Sequence, residues 1–211
     1  MTNTVHQRPG VYSSYDASSI VGRGNSAKTI GVAATAVSGD KNAVTYITSY
    51  EAGVSAFGLD SDTPGMSTLL KLAFLNGATK IAAVAVADGD YAAAFTLLAQ
   101  EEDIGIMLCG SAELTVQQAL RDSVQTASEA RRERIAIIGS SAETVAQLTA
   151  RAAEINSERV ILVGPDMLDT GGNTMPSVFS AAALAGVIAS SSDPAIPING
   201  AELSGLGGVR E

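Results

Sequence analysis

Apolar residues along this chain change from scattered to periodic at Lys28, and the rhythm changes again at Lys80. Residues 1–27 hold no sustained apolar period, and Gly, Pro, Ser, Thr and Asn interrupt them throughout. Two of the five tyrosines, Tyr12 and Tyr15, nevertheless fall there. That composition suits an extended arm that finds its partner on another surface. Residues 28–37 read as a strand, 38–42 as a turn and 43–48 as a second strand, together predicting a β-hairpin over 28–48. Ser49 is placed to cap a short helix through Phe57, stopped by Gly58. Beyond Pro64-Gly65, Met66, Leu69, Leu70, Ala73 and Phe74 recur at helical spacing, and Asn76-Gly77 closes that helix.

From Lys80 the pattern becomes β-α-β-α. Strands are expected at 81–86, 104–109, 135–138 and 160–163, with helices at 90–100, 114–130, 142–155 and 176–190. Short runs of Ile, Val and Leu without polar alternation are what strands covered on both faces look like. Alternation with helices predicts an α/β fold: a doubly wound, mostly parallel sheet with helices on both faces, preceded by a small β-rich segment and the N-terminal arm. Ser140-x-x-Glu143 and Thr115-x-x-Gln118 fit capping boxes. The expected organisation is an arm over 1–27, a small β-rich segment over 28–63, an α/β core over 64–192 and a loop tail over 193–211. That tail carries Pro194, Pro197, Gly200, Gly205, Gly207 and Gly208, predicts no element, and stops as a cut or shortened relative would.

Composition narrows the partners. Of 211 residues, 46% are hydrophobic, 17% charged and only 4% aromatic, so the core must be built from small aliphatic side chains. A formal charge of −9 argues against a phosphate-binding surface for nucleic acid. Arg8, Arg23 and Asp16 leave the first 27 residues at +1 and the remainder at −10, a weak complementarity between arm and body. Cys109 is the single cysteine, which excludes an internal disulfide and fits a reducing compartment. No secretory signal or bilayer-spanning stretch is expected, so the reading is of a protein made in a cytoplasm, with no membrane partner.

Candidate chemistry is thin. Gly22-Arg23-Gly24-Asn25-Ser26-Ala27-Lys28-Thr29 nearly matches a phosphate loop, but the following segment reads as β rather than as a helix N-terminus. The one histidine, His6, lies in the arm, so a nucleophile–histidine–acid triad within one subunit is not expected. Cys109 ends a strand, where open α/β sheets bind ligands, and offers the alternative of a ligand-binding or hydrolase-like protein. Asp88, Asp90, Asp103, Asp166 and Asp169 lie near strand ends on different loops and read as caps or turn formers rather than a cation site. Gly171-Gly172-Asn173 lacks dinucleotide-loop spacing. No catalytic, metal or cofactor-binding residues are assigned.

The opening Arg8-Pro9-Gly10-Val11-Tyr12 resembles that of contractile phage tail sheath proteins. So does the order that follows: Tyr50-Glu51-Ala52, Ala56-Phe57-Gly58, a helix ending Phe74-Leu75-Asn76-Gly77, and Ala183-Leu184-Ala185-Gly186-Val187-Ile188-Ala189 before Asp193-Pro194, Pro197 and Asn199. The resemblance implies a subtilisin-like domain without protease activity, in a structural subunit of a contractile tail or related injection particle. It implies an arm (Arg8, Pro9, Gly10, Val11, Tyr12, with Tyr15) that adds a strand to neighbouring subunits. Implied partners are further sheath subunits in sixfold rings stacked helically, a tail tube protein, the baseplate and the tail terminator. The location implied is the virion tail, with assembly in the host cytoplasm. A sheath cap or initiator shares this architecture. The family's C-terminal domain and arm have no counterpart in the 211 residues.

Overall fold

A computed structural model describes residues 28–61, 65–191 and 197–209. In chain order the elements are β1 (Thr29–Ala34), β2 (Val44–Ile47), α1 (Tyr50–Phe57), α2 (Met66–Leu75), β3 (Ile81–Ala85), α3 (Tyr91–Gln100), β4 (Ile104–Cys109) and α4 (Leu114–Glu129). They continue with β5 (Ile135–Gly139), α5 (Val145–Ile155), β6 (Val160–Val163), β7 (Met167–Asp169), β8 (Thr174–Met175), α6 (Ser177–Ser190) and β9 (Leu206–Val209). The first six strands form one sheet in the order β2-β3-β1-β4-β5-β6, parallel except for β2. Helices cover both faces, as the α/β pattern requires. On one face Phe57 of α1, Met66, Leu69 and Leu70 of α2, and Val178 and Ala182 of α6 pack on Ile30, Val32 and Ala34. On the other, Phe95 and Leu98 of α3, Leu120 and Val124 of α4 and Ile155 of α5 pack around Ala33, Met107 and Ile138.

The hairpin expected over 28–48 does not form. Every residue of β1 is buried, so the strand needs a partner on each side, and it finds them in β3 and β4. Strand β2, with Tyr46 exposed, instead pairs antiparallel with β3 at the sheet's margin. The connection that forms, residues 35–43, is longer than the five-residue turn expected at 38–42, and it leaves the pairing to a more apolar neighbour.

Helix α6 is apolar all round and buried along most of its length, wedged between α2 and the sheet. Two glycines make that possible. A Cβ at Gly186 would sit 2.4 Å from the Ala73 carbonyl oxygen on α2, and one at Gly139 would sit 2.2 Å from the Ser177 carbonyl carbon. The capping boxes are elsewhere than expected. Thr144 and Gln147 cap α5 reciprocally, because Ser140 is committed to Ser177 and Glu143 to Arg151. Thr115 is already inside α4, which starts after Glu113 without a side-chain cap.

The tail does contain an element. Leu206–Val209 pairs with β7, and β7 with β8, in a three-stranded sheet of order β8-β7-β9. Asn76, at the end of α2, fastens this region: its Nδ2 donates to the Ser204 carbonyl at 2.9 Å and its Oδ1 accepts from the Ser204 N–H at 2.8 Å.

The strand-end crevice and candidate assembly surfaces

Strand β1 lies between β3 and β4, and the chain runs from β1 outward to β2 and β3 on one side before crossing over to β4 on the other, opening a crevice at the strands' carboxyl ends. It measures about 510 Å³ and is lined by Thr35, Tyr91, Gly110, Ser111, Glu113 and Val116, among others. Cys109 ends β4 but does not open into it. The side chain is 1% exposed, its Sγ lies 3.5 Å from the Ser111 carbonyl, and burial pushes the thiol up to about 11. At neutral pH it is a protonated thiol, a weak nucleophile. Burial, with Cys109 and Glu113 nearby, likewise raises the Tyr91 phenol to about 12. His6 lies outside the described residues.

The five aspartates are spread over separate tasks. Asp90 caps α3 by accepting from the Ala93 N–H at 3.0 Å, and Asp103 pairs with Lys80 at 3.2 Å. Asp88 sits in a turn at φ 48°. Asp169 shapes the β7–β8 turn, accepting from the Asn173 side chain and from the Asn173 and Gly171 N–H groups, which hold its carboxyl below the usual range. Gly171-Gly172-Asn173 is that turn. Buried Asp166 accepts from the Ala142 N–H at 2.8 Å and the Ser177 N–H at 2.9 Å. The chain's own carboxylate thus occupies the anion position at the start of α6. Among the described residues no three His, Cys, Asp or Glu side chains gather as a metal site. Lys28 and Thr29, the end of the phosphate-loop-like stretch, lead into a strand rather than a helix.

Surfaces for association are better developed. The sheet has two open edges. At β2, Tyr46 donates its hydroxyl to Glu101, Lys80 stands 4.5 Å from the Tyr46 ring centre, and Lys80 pairs in turn with Asp103. At β6, Ile161 is exposed, and it shares a groove with exposed Ile198. Near the opposite end of the sheet Val37 and Leu59 are also exposed, flanking Gly58. Nothing in the residues marks the Ile161 surface: Val160-Ile161-Leu162-Val163 reads as a strand covered on both faces, and only its place at the sheet's margin leaves Ile161 open. The arm residues Arg8, Pro9, Gly10, Val11, Tyr12 and Tyr15 lie outside the described residues.

No family model matches this chain, and no curated protein matches it either. Solved structures do. The sheath of an extracellular contractile injection system, the PVC sheath complex in its contracted state, matches 97% of this chain and 57% of its own at 18% identity and TM-score 0.63. The contracted helical sheath of the anti-feeding prophage matches 94% of this chain and 54% of its own, at 17% identity and TM-score 0.55. The sheath tail protein of Desulfitobacterium hafniense matches 86% and 62%, at 9% identity and TM-score 0.62. The chain therefore spans between 54% and 62% of the length of these three neighbours. What this architecture is similar to, across nearly all of its length, is the fold of contractile tail sheath proteins.

Proposed function

We propose that this chain is a structural subunit, or a portion of one, of the contractile sheath of a phage tail or related injection particle. The observation that carries the reading is the fold: 97% of the chain follows the PVC sheath structure. Copies of the chain would stack in sixfold rings around a tail tube, between a baseplate and a tail terminator. Assembly would take place in the host cytoplasm, and the finished protein would sit in the particle's tail. The segment over 1–27 would serve as an arm, with Arg8, Pro9, Gly10, Val11, Tyr12 and Tyr15 engaging neighbouring subunits by strand addition. Main-chain hydrogen bonds of that kind persist while side-chain surfaces slide. A head-to-tail contact that does not close on itself generates a helical array. Contraction would be rigid-body movement of α/β units toward a more buried packing, with free energy stored in assembly rather than released by a reaction. The buried, protonated Cys109 thiol supports this reading over a nucleophile-based alternative.

Electron microscopy of the intact gene product, or of its parent particle, tests it. Stacked rings around a tube are the expected result. A dispersed monomer that gains thermal stability from a metabolite, and loses it on Cys109→Ala, would refute the proposal.

A further inference from the structure

Two exposed isoleucines share one groove. Ile161 of β6 is 38% exposed and Ile198 is 39% exposed. With Ile135 of β5, Ile188 of α6 and Lys28 they line a groove of about 480 Å³. Strand β6 pairs only with β5, so the main-chain groups along its other side have no strand partner among the described residues. An apolar groove beside an open strand edge is the combination that accepts an extended segment, with main-chain bonds along the edge and apolar side chains in the groove.

The chain itself supplies such a segment. Lys28, which lines the groove, is where the described structure begins, and the nearest large apolar residues before it are Val21 and Ile20. Strand β1 lies three inter-strand steps from β6, roughly 14 Å at the usual spacing of about 4.8 Å. Seven residues of extended chain span roughly 23 Å, enough for a chain starting at Lys28 to bring Val21 and Ile20 to the groove of their own subunit. Tethering also sets a local concentration on the order of millimolar, well above that of a second copy in dilute solution. We propose that residues 18–22 dock in cis along β6, seating Ile20 or Val21 among Ile135, Ile161, Ile188 and Ile198. Docking there would fix the direction in which Arg8–Pro9–Gly10–Val11–Tyr12 leaves the subunit. This goes beyond the sheath reading and does not depend on it, since neither test below reads assembly.

In the full chain, Ile20→Cys combined with Ile198→Cys and treated with a short bis-maleimide should give a cross-linked monomer. Cys109, buried and protonated, stays out of the reaction. Mixing the two single variants should give no cross-linked dimer. A dimer from the mixture without a cross-linked monomer would assign the groove to a second copy and overturn the proposal; so would no cross-link at all in a protein whose circular dichroism is unchanged. Independently, Ile20→Asp with Val21→Asp should speed amide exchange within residues 160–163 by about tenfold or more, a change that unprotected edge amides predict. Unaltered exchange there would also overturn it.

Discussion

The two edges of the six-stranded sheet are protected in opposite ways. Strand β2 is antiparallel to its neighbour, and its exposed Tyr46 is tied back toward the sheet by polar chemistry: it is hydrogen-bonded to Glu101, with Lys80, just before β3, over the ring and Asp103, just before β4, beyond. Charged and hydrogen-bonded side chains on an edge discourage further strand pairing. Strand β6 is parallel to its neighbour and presents Ile161 next to an apolar groove, with an ion pair, Arg159–Glu133 at 2.6 Å, only at its start. One edge is finished by side chains of the same subunit. The other has no strand alongside it among the described residues.

The halves behind those edges also tolerate change differently, and here the largest effect is expected. Gly139 of β5 faces the α6 backbone: an added Cβ would lie 2.2–2.3 Å from Ser177 and Val178 main-chain atoms, which cannot swing aside. Gly139→Ala should cost about 3 kcal/mol, the upper range for overpacking, or prevent folding. On the β2 side, a Cβ at Gly53 of α1 would meet the Leu70 Cδ1 at 2.7 Å, the end of a flexible side chain. Gly53→Ala also gains helix propensity, so its net effect should stay within about 1 kcal/mol of neutral. Urea denaturation of both variants measures the contrast, and equal losses would abolish it.

A smaller effect is expected where α5 is fastened on the β6 side. The Arg151 guanidinium forms a largely buried pair with Glu143 and donates to the Gln117 Oε1 at 2.9 Å. Gln117, fully buried, passes the contact on to the Gly139 carbonyl. Glu143→Gln leaves Arg151 without its counter-charge and should cost about 2 kcal/mol in the same measurement. A loss as small as that of an exposed pair would show that the network is not coupled to the sheet.

Most of the elements were legible in the residues, and the failures share one cause. Helix α2 was readable because Met66, Leu69, Leu70 and Ala73 mark one face and Asn76-Gly77 marks its end. The β-α alternation after Lys80 was readable for the same local reasons. The partner of β1, the strand at Leu206–Val209 and the exposure of Ile161 were not, since each is decided by which segment lies alongside, at long sequence separation. Capping boxes were misplaced because Ser140 and Glu143 have distant partners, Ser177 and Arg151, that outcompete the local pattern. The candidate surface is the extreme case: a run such as Val160–Val163 carries no mark of being at a margin.

An acid-sensitive contribution belongs to the β2 half. Burial pulls the Asp60 carboxyl upward, but bonds from the Thr68 hydroxyl, the Gly65 and Thr68 N–H groups and Ser67 outweigh it, and the net pKa is lowered. A depressed carboxyl stabilises the fold above its unfolded value, near 3.8, and loses that contribution as pH falls through the folded value. Asp60→Asn should therefore lower stability at neutral pH and flatten its decline below about pH 4. Parallel acid curves for the two proteins would remove Asp60 from the account.

The smallest effect is expected at the edge that is already finished. The hydrogen bond to Glu101 comes first in raising the Tyr46 phenol to about 12, with burial and the Glu101 and Asp103 charges adding to it. A raised phenol stabilises the fold fully below its unfolded value, near 10, and that contribution is lost as pH rises through about 12. Tyr46→Phe should cost no more than about 1 kcal/mol at neutral pH, because the site is exposed and screened. Tyr91 titrates in the same range but is present in both proteins, so the difference between their alkaline curves isolates Tyr46. The informative result is the converging of the two curves above pH 12. If they stay apart there, the β2 edge is held by packing of the ring rather than by its hydroxyl, and the contrast with β6 narrows to one of shape.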